Sequence, residues 1–139
     1  MSMERYVIIG AGAAGIAAAQ TLRDFRPQAV ITVISTDEHV HSRCMLHKYL
    51  GHERDVQGIS FVPAGFFEKH DIVHIPCETV DRVDTENKTV YFGEGFSAPY
   101  DKLLLAPGAK PTVPALSGVD SERVFTCAQW RTPSASGDL

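Results

Sequence analysis

The stretch YVIIGAGAAG, residues 6–15, decides the fold. It opens with a short apolar run that stops at a glycine, as expected for a strand buried on both faces of a parallel sheet. The Ala-rich segment from Ala13 to Phe25 then predicts a helix, which Pro27 ends. The β-branched run at 30–34 completes a βαβ unit in about 30 residues. The sequence therefore begins as the first half of a nucleotide-binding sheet.

The glycines of this turn have the spacing of a dinucleotide-binding motif. In such a turn Gly10 makes the tight bend, Gly12 lets the backbone approach a phosphate, and Gly15 lets the helix touch the strand. The helix N-terminus, with Ala13 and Ala14, offers partial positive charge to a pyrophosphate. Because the motif follows a strand and opens a helix, it predicts nucleotide binding and not only close packing.

The end of the second strand lacks the usual acidic residue. That residue lies about 20 positions after the glycines and binds ribose hydroxyls; here Ser35 occupies the position. Asp37 and Glu38 are the nearest carboxylates and reach the ribose if the strand ends early. The alternative, a solvated acidic loop, stays open.

The remaining chain predicts an α/β fold, a Rossmann-like parallel sheet with a small antiparallel β-meander. Short helices are predicted at 45–50 and 66–70, meander strands at 72–75, 79–84 and 89–92, and a second apolar strand at 103–106. We expect one domain over 1–125 and an irregular tail over 126–139.

Composition and residue spacing argue against nucleic-acid binding, membrane association and metal binding. With 13 basic residues scattered along the chain and a net charge of −4, nucleic acid is not an expected partner. No apolar run approaches the roughly 18 to 20 residues of a membrane helix, so no membrane association and a cytoplasmic location are expected. Cys44, Cys77 and Cys127 are widely spaced with no C-x-x-C pair, which indicates neither a disulfide framework nor a zinc site. His39, His41 and His47 match no standard ligand spacing, so no metal is predicted.

Four ordered motifs carry a resemblance to a known family. They are VIIGAGAAGIAAA at 7–19, SRCMLHKYLG at 42–51, ETVDRVD at 78–84 and YDKLLLAPGAKP at 100–111. With them the sequence resembles the FAD-binding domain of the pyridine-nucleotide-disulfide oxidoreductase superfamily, especially the branch of NADH-rubredoxin reductases and nitrite reductase flavin domains. The resemblance implies an enzyme that passes electrons from NAD(P)H through FAD to a partner protein or a small-molecule acceptor.

The same resemblance implies roles for residues beyond the glycine turn. Arg43 and Lys48 would flank the flavin, with Lys48 near its N5 edge, where a cation stabilises negative charge. The backbone of Val80 would meet the adenine. Ala106, Pro107 and Gly108 would pass close to FAD, with Pro107 in place of the family's Thr, which removes a hydroxyl and a backbone donor.

Cys44 opens an alternative function. Its spacing to Lys48 also resembles the redox cysteine of NADH oxidases and coenzyme A-disulfide reductases. A catalytic Cys44 would need a lowered thiol pKa, which Arg43 and Lys48 would favour. The other interpretation is an inert thiol.

A third alternative is a non-catalytic nucleotide-binding fragment. Residues 1–139 contain no second glycine-rich motif for NAD(P)H, and the ASGD at 135–138 lacks a preceding apolar strand. We therefore expect an incomplete FAD domain whose open sheet edge favours self-association into a homo-oligomer.

Overall fold

A computed structural model describes residues 3–121 and 124. In chain order its elements are β1 (Arg5–Ile9), α1 (Ala13–Phe25), β2 (Val30–Ile34), α2 (Leu46–Leu50), α3 (Phe66–Lys69), β3 (Val73–Ile75), β4 (Val80–Asp84), β5 (Thr89–Phe92), β6 (Phe96–Pro99) and β7 (Lys102–Leu105). Short 3-10 turns at Arg43–Met45 and Gln57–Ile59 flank α2. The predicted tail, 126–139, lies outside the described residues.

The parallel sheet has the strand order β3-β2-β1-β7, which confirms the predicted Rossmann-like α/β class. β1 pairs with β2 from Arg5 opposite Val30, and with β7 from Tyr6 opposite Lys102. α1 crosses between β1 and β2 as predicted. Its last helical hydrogen bond runs from the amide of Arg26 to the carbonyl of Leu22, and it ends there because Pro27, which follows, has no N–H.

One strand assignment from the sequence was wrong. Residues 72–75 were expected in the antiparallel meander, but β3 pairs in parallel with β2, Thr32 lying opposite Val73. An apolar run carries no information on strand direction. Here α3 supplies the crossover that brings the chain back parallel to β2.

The meander consists of β4, β5 and β6, paired antiparallel. Asp84 builds the β4–β5 turn, because its carboxylate accepts hydrogen bonds from the backbone and side-chain amides of Asn87 at 2.9 and 3.0 Å. The sequence did not predict β6, whose last residue is Pro99. Proline is tolerated there because β6 is an edge strand of this sheet.

Two hydrophobic clusters cover opposite faces of the parallel sheet. Alternating residues of β1 separate them: Ile8 packs with Ile16 of α1, whereas Val7 packs with Val90 and Phe92 of β5. α1 therefore covers one face and the antiparallel sheet the other. Both faces of β1 are buried, as its continuous apolar sequence predicts.

Asp101 of the YDKLLLAPGAKP motif anchors β7 beside β1. Its carboxylate accepts from the backbone amide of Arg5 at 2.7 Å and from the Arg5 guanidinium at 3.2 Å. These hydrogen bonds lower the pKa of the Asp101 carboxyl. The pair fixes where β7 starts, and with it the position of the loop that follows the strand.

Within the described part of the chain, no helix is long and apolar enough to cross a membrane.

Candidate functional site

A cleft of about 550 Å³ lies at the carboxyl ends of β1, β2 and β7. Parallel α/β sheets bind ligands at this edge, where the strand order switches direction. The cleft is lined by Gly10, Ala11, Gly12, Ala13, Ala14, Ser35, Thr36, Asp37, His39, His41, Ser42, Arg43, Cys44, Phe61, Ala106, Pro107, Gly108 and Ala109. The structure thus brings together most of the residues that the sequence selected.

The glycine turn forms the floor of the cleft, and each glycine occupies a different environment. Gly10 has φ +107°, and a Cβ there would overlap the carbonyl of Ala106. A Cβ on Gly15 would overlap the carbonyl of Gly10, so Gly15 lies beneath the turn. Gly12 has no atom within 4 Å of where its Cβ would be. It is the glycine that leaves space for a ligand.

The N-terminus of α1 opens into this space. Gly12 is the N-cap, no side chain caps the helix, and its first turn contains no acidic residue. The carbonyl of Gly12 accepts the first helical bond, from Ile16 at 2.9 Å. The amides of the first turn, which have no partner within the helix, are available to an anion.

Three strand ends meet at the turn through backbone hydrogen bonds. The amide of Gly10 donates to the carbonyl of Ile34 at 2.8 Å, and the amide of Ala106 donates to the carbonyl of Ile9 at 2.8 Å. As a result Ser35, just after β2, and Ala106, just after β7, lie on either side of the glycine turn. Asp37 is half-buried and lines the same wall as Ser35.

Arg43 bridges two walls of the cleft. Its guanidinium donates to the carbonyl of Ala109 at 2.9 Å, although the two residues are 66 positions apart. It passes Gly108, where a Cβ would lie 3.5 Å from the guanidinium nitrogen. Gly108 has φ +75°, so glycine is favoured there. Cys44, next to Arg43, is exposed and lines the cleft.

Lys48, Val80 and Glu38 do not line this cleft. The ammonium of Lys48 lies 2.5 Å from a carboxylate oxygen of Glu53. Val80, at the start of β4, packs into the cluster beneath the antiparallel sheet. Glu38 lines a neighbouring cavity of about 200 Å³. The predicted roles of Lys48 and Val80 at the cofactor remain predictions.

Sequence reasoning missed several lining residues. Phe61 belongs to a loop without a motif, and Ala109 follows the last recognised glycine. Phe61 is exposed and offers an apolar ring at the cleft, but no feature of the sequence around it marked this position. His39 and His41 also line the cleft, and His47 does not. Over 3–121 and 124, no group of three or more His, Cys, Asp or Glu side chains is placed to hold a metal ion.

Comparison with known proteins identifies the family to which the sequence is similar. A family model described as pyridine nucleotide-disulphide oxidoreductase matches residues 4–135. The chain is 38% identical over 133 residues to apoptosis-inducing factor 3 of Mus musculus, covering 95% of this chain and 21% of that protein. It is 32% identical over 126 residues to the NAD(P)H nitrite reductase of Bacillus subtilis, covering 89% of this chain and 16% of that protein.

One solved structure of a related protein has a similar backbone. The structure of an NAD-dependent persulfide reductase from A. fulgidus matches with a TM-score of 0.79 at 31% identity, covering 90% of this chain and 25% of that one. The chain therefore spans about a quarter or less of the length of these relatives.

Proposed function

This chain belongs to the pyridine nucleotide-disulphide oxidoreductase family, and we propose that it forms the FAD-binding part of an NAD(P)H-dependent flavoprotein oxidoreductase. The proposal includes a cytoplasmic location and an electron acceptor that is a protein or a small molecule. Bound FAD would supply two-electron chemistry between NAD(P)H and that acceptor. The residues of this chain would bind and orient the cofactor.

The observation that most strongly supports FAD binding is the environment of Gly12. It is the N-cap of α1, its backbone is in an ordinary extended conformation, and nothing lies within 4 Å of where its Cβ would be. Packing within the fold therefore does not require glycine at this position. A pyrophosphate bound to the uncapped amides of α1 would require it, because the phosphates must approach the backbone closely.

The other walls suit the remaining parts of FAD. Ser35 and Asp37 follow β2, the position at which dinucleotide folds bind the ribose. Arg43 and exposed Phe61 offer a cation and an apolar ring. These groups fit an anionic cofactor with extended ring systems.

FAD titration with a matched pair of variants tests this proposal. We expect the wild-type chain to bind FAD and Gly12→Leu to weaken binding by about 30-fold or more, because loss of charge-assisted hydrogen bonds costs about 2–3 kcal/mol. Ala17→Leu is the control, since it adds a similar side chain to an exposed position of α1 outside the cleft lining. Dissociation constants come from flavin fluorescence. Equal affinities of Gly12→Leu and wild type would contradict the proposal.

A second candidate function rests on Cys44, which is exposed and lines the cleft. As a thiolate it would attack one sulfur of a disulfide, break the S–S bond and expel the other sulfur as a thiolate, which leaves a mixed disulfide on Cys44. Two electrons from NAD(P)H by way of FAD, with one proton, would then cleave the mixed disulfide into the Cys44 thiolate and a second free thiol. Lys48 gives this function little support, because Glu53 already pairs with its ammonium. Steady-state turnover of a longer protein containing this chain decides: Cys44→Ser abolishes disulfide reduction under this candidate and leaves it unchanged otherwise.

A further inference from the structure

Ser35 is held by hydrogen bonds on all sides. It directly follows β2 and is only 7% exposed. Its backbone amide donates to the carbonyl of Ile75 at 3.0 Å, and its carbonyl accepts from the amide of Glu78 at 3.0 Å. These bonds join the end of β2 to the end of β3. The side chain of Ser35 is therefore fixed between the two strand ends.

The Ser35 hydroxyl links two further residues. It donates to the backbone carbonyl of Asp37 at 2.9 Å, and it lies 2.9 Å from Nε2 of His74. A hydroxyl has one proton, and a carbonyl only accepts. With that proton on the Asp37 carbonyl, Nε2 of His74 must be the donor. The hydrogen bonds then run in one direction, from His74 through Ser35 to Asp37.

His74 is set up for this role by its surroundings. Its ring stacks on Phe67 with the centroids 4.0 Å apart and the planes at 13°. Burial lowers the pKa of His74, against a smaller opposing effect of Glu68. The neutral ring with its proton on Nε2 is the form that this environment favours. His74 itself does not line the large cleft.

The arrangement explains why serine replaces the usual acidic residue. A carboxylate at position 35 would be buried against the carbonyl oxygen of Asp37, with no hydroxyl proton to place between the two oxygens. Asp37 is half-buried and lines the cleft. Asp37 thus offers a carboxylate to the cleft two positions after the usual acidic residue.

We infer that His74 and Ser35 are positioning residues for FAD, and that the hydrogen-bonded chain from His74 through Ser35 holds the backbone of Asp37 so that its carboxylate binds the adenosine ribose. The inference rests on the proposed FAD site. It adds the two residues that position the Asp37 carboxylate. Neither the glycine motif nor the cleft lining assigns a role to His74.

FAD titration of paired variants tests the positioning. Ser35→Ala and His74→Phe should each weaken FAD binding by about tenfold, since each breaks the chain of hydrogen bonds. His74→Gln should bind within about twofold of wild type, because its amide restores a donor. The Ser35→Ala/His74→Phe double variant should bind no more weakly than the single variants. His47→Phe, at an exposed position of α2 outside the cleft, is the control.

NMR spectroscopy of the wild-type chain tests the proton position on the His74 ring without any substitution. In ¹H–¹⁵N spectra of the wild-type chain, His74 should carry its proton on Nε2, and FAD should shift its resonances. A proton on Nδ1 would overturn the inference. Unchanged FAD affinity in Ser35→Ala and His74→Phe, with FAD bound by wild type, would overturn this inference alone. Failure of the wild-type chain to bind FAD would overturn the proposed function and this inference with it.

Discussion

The carbonyl oxygen of Gly10 lies against the α-carbon of Gly15, so close that a methyl group on Gly15 would overlap it. Because both groups belong to the backbone, no side chain can move to relieve the overlap. Gly15→Ala should lower the free energy of unfolding by about 1–3 kcal/mol or more. Urea denaturation followed by circular dichroism measures the difference.

Gly12→Ala is the matched control for that substitution. A Cβ at Gly12 meets no atom within 4 Å, and its φ of −77° suits any residue. The change should alter stability by no more than about 1 kcal/mol, the size of an N-cap preference. Equal destabilisation by the two substitutions would show that the close approach of Gly15 to Gly10 does not limit the packing.

His74 should make the stability of the chain depend on pH. Burial lowers its pKa in the folded state from an unfolded value of 6.5, so below that pH the unfolded chain takes up the proton first. The free energy of unfolding should therefore fall as pH drops from 6.5 towards the lowered folded pKa. His74→Gln should flatten this part of the profile.

Urea denaturation on either side of pH 6.5 checks this prediction. His47→Gln, at an exposed position of α2, serves as the control and should leave the pH profile as in wild type. A His74→Gln profile with the wild-type slope would assign the pH dependence to other groups.

The free edge of β7 should drive self-association. Within residues 3–121 and 124, β7 pairs only with β1, so its other edge presents backbone groups without a strand partner, and Leu105 on it is 63% exposed. Leu105→Lys should shift the chain towards monomer in light scattering coupled to gel filtration. Leu116→Lys is the control, because Leu116 is 64% exposed outside any strand. A monomeric wild-type chain would refute the prediction.

Arg43 should contribute to FAD binding through its charge. Arg43→Met keeps the length of the apolar stem and removes the guanidinium that reaches Ala109, so FAD affinity should fall by about tenfold. Arg54→Met is the matched control, since Arg54 also donates to a backbone carbonyl, that of Gly58 at 3.1 Å, away from the cleft. If both variants bind FAD equally well, the charge of Arg43 has no part in binding.

The sequence predicted those parts of the fold that local chemistry determines. β1, α1 and β2 were correct because an apolar run, a helix-forming segment and a proline act within their own neighbourhoods. The direction of β3 was wrong because pairing depends on the crossover that precedes the strand. β6 was missed because Phe96–Pro99 follows Gly93 and Gly95 and ends in proline, a composition typical of turns.

In the candidate site, too, the contacts between motifs could be predicted from the sequence and the others could not. The glycine turn and the Ala106–Gly108 loop carry motifs, so their approach to each other was foreseeable. The hydrogen bond between Ser35 and His74 spans 39 positions and has no sequence signature. Likewise, the pairing of Lys48 with Glu53 depends on the turn after α2, which no motif describes. Contacts between unlinked loops appear only once the chain is folded.

The order in which the cleft acquires its walls has a consequence for biosynthesis. Gly10 and Ala109 line the same cleft, so its floor is translated long before its last wall. A nascent chain that stops before β7 contains the complete glycine motif and still lacks Ala106, whose carbonyl lies against Gly10. The cleft of this structure, and with it any site for a cofactor there, is therefore complete only after Ala109 has left the ribosome.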